Sequence, residues 1–283
     1  MTPFRSARII ARFDPAARVD SVRTFYDSNP QKSAYARLDP EDVRVIDENW
    51  RQYPAQGLFN GSLFHVDRVD VLDEGCSIYG SPIDFKAHIA RNDARIGSIR
   101  LSEKAINEIS VLGVGALVET EDHKFVVRKR VGEKIAPDRY DCGSSGTCVV
   151  KDGETNPAEK MRETLKREIG VEAGDIQNES VSGIGLGCDY GGYLVHYRVH
   201  VKKTFGQMAE NLDRLKQEDR HKTGASNLRC MEAGDLRQFI LDNHGGVLDD
   251  LIVAVVLAQP GRQPHALAER VRELFGDEAI TGI

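Results

Sequence analysis

The sequence predicts an α+β protein with a mixed β-sheet, and three observations support this class. Segments with the two-residue period of strands alternate with segments of helical period along the chain. A polar turn at 119–123 joins two apolar strands, as in an antiparallel hairpin. A helical stretch over 151–172 has predicted strands on both sides, which favours a helix packed against a sheet.

The N-terminal part is predicted to begin with a strand, continue through two short helices and return to a strand. Residues 6–13 form the first strand, and residues 15–28 and 39–53 form the helices. The second helix begins at Asp39-Pro40 with acids in its first turn, a typical helix start. A turn-rich segment then leads into an alternating strand that ends near residue 74.

The remainder alternates strands and helices. A boundary near residue 110 divides an N-terminal α/β extension, 1–110, from a main domain, 111–262, and a helical tail, 263–283. The predicted elements are a helix at 102–109, the hairpin at 111–134, a Gly/Ser-rich loop at 138–154, the helix at 151–172, strands around a turn at Asp189 to Gly192, and helices at 206–224, 232–244 and 248–260.

Composition narrows the function classes. A net charge of -6 and a pI near 5.8 give no general attraction to nucleic acid, so no nucleic-acid partner is expected. We find neither a signal peptide nor an apolar run that would span a membrane, so a cytoplasmic protein without a membrane partner is expected. Five cysteines without a CxxC pair indicate reduced thiols.

Several short motifs occur in an order that resembles the Nudix hydrolase family, whose signature is G-x5-E-x7-R-E-U-x-E-E-x-G-U with U apolar. Residues 152–154 (DGE), 156–161 (NPAEKM) and 168–171 (EIGV) carry the helix part, one residue longer than in the signature. The motifs YPAQGLFNGSLF, GVGALVETEDHKFVVRKR and HKTGASNL are similar to the subgroup that contains the animal UDP-glucose and UDP-galactose pyrophosphatase. Over roughly 48–260, the resemblance implies a Nudix α/β/α sandwich after a smaller extension.

Helical geometry fixes which carboxylates of this segment lie together. Met161, Leu165 and Ile169 form the apolar stripe that faces the sheet. Glu168 lies roughly 20° from Met161 around the helix axis, at about 100° per residue. Glu159 and Glu163 point to the opposite side. Glu168 therefore cannot share a metal ion with either of them.

In this register the resemblance leaves one of the family's three metal-binding glutamates in place. Thr164 and Arg167 stand at the other two positions, beside Glu168. The resemblance implies a Mg²⁺ or Mn²⁺ ion if the chain is catalytic, held partly by Glu168 and by an acid from elsewhere. The candidates are Asp141, Glu172, Glu218 and Asp219; Glu168 and Glu172 are the predicted metal ligands, and Glu168, Glu218 and Asp219 the predicted catalytic residues.

The predicted substrate-binding residues are mostly basic. Lys160 and Arg167 on the helix flank would meet a diphosphate directly, or would only solvate the helix. Gly146 lies in the Gly/Ser-rich loop, which would present backbone N–H groups to a phosphate. The further candidates are His196 and Arg198, which share a strand face with His200, and His221 in the segment 218–224.

Two functions remain open from the sequence, and both concern a nucleotide or nucleotide-sugar ligand. The first is metal-dependent hydrolysis of a nucleoside diphosphate linked to another group, for example a nucleotide sugar. The second is a catalytically inactive binding or regulatory module that keeps the pocket without the ion. An unrelated fold with a coincidental helix motif is the third alternative, and a homodimer that exchanges the N-terminal part is kept open.

Overall fold

The computed structural model describes residues 7–14, 17–56, 58, 60–72, 75–131, 138–187, 191–218, 227–243, 246–258 and 280–281. Its strands are β1 (Ala7–Arg12), β2 (Val22–Tyr26), β3 (Ser62–Leu72), β4 (Gly75–Asp84), β5 (Val111–Glu119), β6 (Phe125–Lys129), β7 (Tyr140–Cys142), β8 (Ser144–Thr147), β9 (Ile176–Gly187), β10 (Gly192–Val201), β11 (Leu228–Met231) and β12 (Ile280–Thr281). Its α-helices are α1 (Pro40–Trp50), α2 (Phe85–Arg95), α3 (Glu103–Glu108), α4 (Pro157–Ile169), α5 (Phe205–Glu218), α6 (Ala233–Asp242) and α7 (Asp249–Ala258).

The strands of the described residues belong to one mixed sheet. Its main path runs β12-β1-β9-β10-β5-β3-β4-β2, with β8 also paired to β5 and with β6 linking β5, β7 and β11. The central pair β5 and β10 is parallel, whereas β10 is antiparallel to β9 and β3 is antiparallel to β4. The predicted α+β class with a mixed sheet is confirmed.

The helices cover both faces of this sheet. On one face, Met161, Leu165 and Ile169 of α4 pack with alternate residues of β5 such as Val118. On the other face, α6 and α7 pack with the intervening β5 residue Leu117. Because successive strand residues point to opposite faces, these contacts define an α/β/α sandwich with α4 and α7 on opposite sides.

The N-terminal part adds strands to the same sheet. Helices α1, α2 and α3 enclose a small core of their own, which includes Ile46, Ala87 and Ala105. The sheet crosses the predicted boundary near 110, since β3 pairs with β5 at His65 and Val111 and β1 pairs with β9. The division into 1–110 and 111–262 stays a prediction, and of the tail 263–283 only β12 is described.

Three local predictions were wrong. Residues 22–26 of the helix predicted at 15–28 form β2, parallel to β4, because tertiary pairing overrides the local helical pattern. The predicted loop at 138–154 contains β7 and β8. The helix predicted from 151 begins at Pro157, because Asp152 and Gly153 adopt positive φ angles of 52° and 80° and form a tight turn.

Several other elements agree with the sequence pattern. The structure contains the first strand, the helix that begins after Asp39, the paired strands β5 and β6 of the predicted 111–134 hairpin, and the strands β9 and β10 on either side of the predicted turn. Strand β4 and helix α2 had not been predicted. Among the described residues, no helix is both long and apolar enough to span a membrane.

Candidate functional site

Helix α4 provides the frame of the site. Asn156 caps its first turn, because its Oδ1 accepts hydrogen bonds from the backbone N–H groups of Ala158 at 3.0 Å and Glu159 at 3.2 Å. Gly170 ends the helix at φ 67°, a left-handed conformation that glycine adopts at little cost. Between these two caps, the predicted apolar stripe is buried against the sheet, and Glu159 and Glu163 are exposed.

Glu168 lies at the flank of this stripe, where β8 passes over the helix. Its Oε2 accepts hydrogen bonds from the backbone N–H of Ser145 at 3.1 Å and from the hydroxyl of Ser144 at 3.3 Å. Its Oε1 accepts a hydrogen bond from Arg167 Nη2 at 2.7 Å. Glu168 is buried, with 8% of the residue exposed, so both of its oxygens are engaged by the protein.

A second buried carboxylate, Asp141, lies close by on β7. Its Oδ2 accepts hydrogen bonds from Arg130 Nη1 at 2.9 Å and from the Ser145 hydroxyl at 2.6 Å. Its Oδ1 accepts a hydrogen bond from the backbone N–H of Cys142 at 2.8 Å. Burial alone would raise the pKa of Asp141, but Arg130, Arg128 and Ser145 outweigh it and hold the pKa below its usual value.

Arg128 connects the two carboxylates. Its Nη2 lies 3.3 Å from Glu168 Oε2 and 3.7 Å from Asp141 Oδ2, and its side chain is 2% exposed. We call Arg128, Arg130, Asp141, Arg167 and Glu168 the arginine cluster. Its three guanidinium groups face two carboxylates, so these five side chains carry an excess of positive charge.

The arginine cluster does not fit a divalent metal ion. Mg²⁺ and Mn²⁺ need carboxylate oxygens that are free to turn toward the ion and to share it with water. Here a guanidinium group occupies the space between Asp141 and Glu168, and further arginines engage both carboxylates. A cation placed there would have to displace Arg128 against the repulsion of the remaining guanidinium groups.

The other residues of the helix flank contact β8 closely. Thr164 is buried, donates its hydroxyl hydrogen to the Met161 carbonyl at 2.8 Å, and places its methyl group against Gly146. A Cβ atom at Gly146 would lie 2.5 Å from that methyl carbon, so glycine allows β8 to approach the helix. Lys160 lies beside Gly146 and pairs with Glu163 at 3.2 Å, whereas the Arg167 side chain is half exposed.

A groove of about 480 Å³ runs along the N-terminal half of α4. Its lining residues are Val149, Lys151, Glu154, Thr155, Asn156, Glu159, Lys160 and Glu163. Lys160 lies seven residues before Arg167, so the two side chains project from the same face of the helix. The groove and this pair together form a polar surface beside the arginine cluster.

His196 was predicted as a substrate-binding residue on a ligand-facing strand face, and the structure buries it. The residue is 1% exposed and lies under α7, near Val253 and the glycines Gly115 and Gly185 of the adjoining strands. Burial lowers its pKa to about 4 and outweighs the Asp141 carboxylate, which acts in the opposite direction, so the ring is neutral at pH 7. Sequence alternation correctly placed His196, Arg198 and His200 on one face, but α7 covers that face at His196.

The remaining predicted site residues lie elsewhere. Glu172 is exposed, pairs with Lys166 at 3.0 Å and forms a capping box with Asp175, so its contacts are separate from those of Glu168. Arg198 donates a hydrogen bond to Glu119 Oε2 at 2.7 Å. Glu218 is the last residue of α5, but its side chain lies outside the described structure. Asp219 and His221 also lie outside the described residues.

Arg128 and Arg130 were not among the site residues predicted from the sequence. Their alternation with Lys129 places both on the same strand face as the apolar Val126, a pattern that indicates burial. A buried arginine requires a carboxylate partner. That pattern could have identified the arginines, but not Asp141 as their partner, because the pairing of β6 with β7 depends on the tertiary fold.

Comparisons with known proteins give only distant likenesses. No family model matches the sequence, and no curated protein matches it. The structure of DR0079 from Deinococcus radiodurans is similar over 52% of this chain and 80% of that chain, with 15% identity and a TM-score of 0.36. A MutT protein from Methanosarcina mazei Go1 is similar over 34% of this chain and 64% of that chain, with 17% identity and a TM-score of 0.25.

A third likeness is to a chain in the complex between the C-terminal domain of mouse MUTYH and human PCNA. It covers 40% of this chain and 91% of that chain, with 12% identity and a TM-score of 0.25. At these TM-scores, none of the three likenesses assigns a function or a role to any residue of this chain.

Proposed function

We propose that this chain is a Nudix-derived module that binds a nucleoside diphosphate linked to another group, for example a nucleotide sugar, without a divalent metal ion. The order of the sequence motifs supports descent from the Nudix family. The α/β/α sandwich, in which Gly170 ends α4, is compatible with this descent. We infer the absence of a divalent metal ion from Arg128, because its guanidinium group bridges Glu168 and Asp141.

Two cations on the flank of α4, Lys160 and Arg167, are suited to an anionic ligand, although both lie near Glu163. Nudix-type chemistry needs a metal ion to neutralise the diphosphate and to activate water. In this chain Arg167 and Lys160 supply positive charge on the flank of α4 but no metal-bound water. Arginine binds phosphate oxygens in a bidentate geometry, and lysine adds a compact charge. We therefore assign the diphosphate to Arg167 and Lys160, at the edge of the groove along α4.

The metal-dependent hydrolase is the competing function. It would require Glu168 to exchange its arginine partners for Mg²⁺ or Mn²⁺, together with an acid such as Glu218 or Asp219. Binding of the same nucleotide ligands is expected in both cases. The two functions differ in metal dependence and in the fate of the ligand.

Isothermal titration with a panel of nucleoside diphosphates and nucleotide sugars tests the proposal. Each titration is run with Mg²⁺, with Mn²⁺ and with EDTA, followed by product analysis. We expect at least one panel member to bind with an affinity that changes by less than about twofold, well under 1 kcal/mol, between Mg²⁺ and EDTA. This ligand should be recovered intact after the titration. Metal-dependent release of a nucleoside monophosphate would establish the hydrolase instead.

Two charge-neutralising variants test the assigned residues. Arg167→Gln should weaken binding at least about tenfold, about 1.4 kcal/mol, because a charge-assisted hydrogen bond to the diphosphate is lost. Lys166→Gln is the matched control, since Lys166 is exposed on the same helix and pairs with Glu172. Equal affinities in the two variants, or no binding of any panel member, would contradict the proposal.

A further inference from the structure

A second group of titratable side chains lies on the sheet face opposite α4. Glu119 at the end of β5 and His200 at the end of β10 are register partners on adjacent parallel strands. His123, in the turn that follows β5, completes the group. One ligand atom from each of these three residues lies within 4.8 Å of the other two.

The distances are compatible with a small coordination sphere. Glu119 Oε1 lies 3.1 Å from His123 Nδ1, and the centroids of the His123 and His200 rings are 5.9 Å apart. With metal–ligand distances near 2.0–2.2 Å, two ligand atoms of a tetrahedral zinc ion are roughly 3.3 Å apart. The Glu119 and His123 ligand atoms already have about this separation. The exposed His123 side chain can rotate so that its imidazole also comes closer to His200.

The hydrogen bonds leave ligand positions open. His200 Nε2 is buried and has no hydrogen-bond partner among the described residues, which is unusual for a buried polar atom. Arg198 binds Glu119 Oε2 at 2.7 Å, which orients the carboxylate and leaves Oε1 on the side of His123. Outer hydrogen bonds of this kind commonly position metal ligands.

We propose that Glu119, His123 and His200 bind a divalent transition-metal ion of the Zn²⁺ class. Two imidazoles and one carboxylate suit zinc, whereas Mg²⁺ and Ca²⁺ prefer oxygen ligands throughout. Three protein ligands leave a fourth position for water or a ligand. The ion would also connect the β5–β6 turn to the end of β10.

The test uses the full-length chain after removal of metal with EDTA and dialysis. Zn²⁺ binding is measured by isothermal titration, and Co²⁺ binding by its visible absorption. We expect one ion per chain at this site. His200→Ala and His123→Ala should each weaken Zn²⁺ binding at least about 100-fold. Removal of a residue that only hydrogen-bonds to a metal ligand commonly costs up to about 100-fold, and loss of the ligand itself should cost no less.

Controls separate this site from general histidine affinity and from misfolding. His65→Gln removes an imidazole that lies on β3 and contacts Arg37 and the backbone N–H of Ser110, and this variant should retain Zn²⁺ binding within about twofold, which is well under 1 kcal/mol. His123 is exposed on a turn, so its substitution leaves the core unchanged. Zn²⁺ should raise the thermal midpoint of the parent but not of the two ligand variants. No Zn²⁺ binding by the parent, or Zn²⁺ binding by the two ligand variants as tight as that of the parent, would overturn the proposal.

Discussion

Two clusters on opposite faces of the same sheet contain similar acids but differ in how fully those acids are paired. In the arginine cluster, Glu168 and Asp141 are buried and each is bound by guanidinium groups. In the Glu119, His123 and His200 group, Arg198 occupies one carboxylate oxygen, and His200 Nε2 has no hydrogen-bond partner within the part of the chain that the structure describes. The availability of ligand atoms, and not the number of acids, therefore distinguishes a metal-binding group from a charge-paired one.

Removal of an arginine from the buried cluster should have the largest effect on stability. Arg130→Ala leaves Asp141 buried without its closest ion-pair partner, which costs about 3–5 kcal/mol in comparable buried pairs. The free energy of unfolding from urea titration measures this loss. Arg44→Ala, which removes an exposed arginine paired with Glu41 and Glu48, is the control and should change stability little. Equal effects in both variants would show that the buried cluster contributes no more than a surface pair.

A smaller effect is expected from the pH dependence of His196. Its pKa is lowered to about 4 in the folded protein, whereas an unfolded histidine titrates near 6.5. As the pH falls, this histidine therefore takes up a proton in the unfolded chain before it does so in the folded protein. The stability that comes from the neutral buried imidazole is complete above pH 6.5 and is lost as the pH falls toward 4. Between pH 7 and 4.5 the loss is on the order of 2–3 kcal/mol.

The variant His196→Leu isolates this contribution. Burial also lowers the pKa of His65 to about 4 and that of His88 to about 3, so the variant should retain part of the acid sensitivity. Its unfolding free energy should nevertheless fall less than that of the parent between pH 7 and 4.5. Parallel losses in parent and variant would mean that His196 is not buried in its neutral form, which would contradict the position assigned under α7.

Local patterns predicted the frame of the site but not its charge pairing. The 3.6-residue period of Met161, Leu165 and Ile169 and the glycine at 170 correctly located the buried stripe of α4, its C-terminal end and the buried flank at Glu168, but not its start. The arginine partners of Glu168 and Asp141 come from separate segments, and only strand pairing brings these groups together. Similarly, the proximity of Glu119 to His200 depends on a parallel pairing between β5 and β10.

Manganese binding tests the central claim, that guanidinium groups take the place of the metal ion at Glu168. The parent for this measurement carries His123→Ala and His200→Ala, so that the second cluster adds no ion. Bound Mn²⁺ is quantified from the loss of the free-ion signal in electron paramagnetic resonance, with and without Glu168→Gln. We predict identical Mn²⁺ binding in the two proteins. One Mn²⁺ ion per chain that disappears with Glu168→Gln would contradict the account.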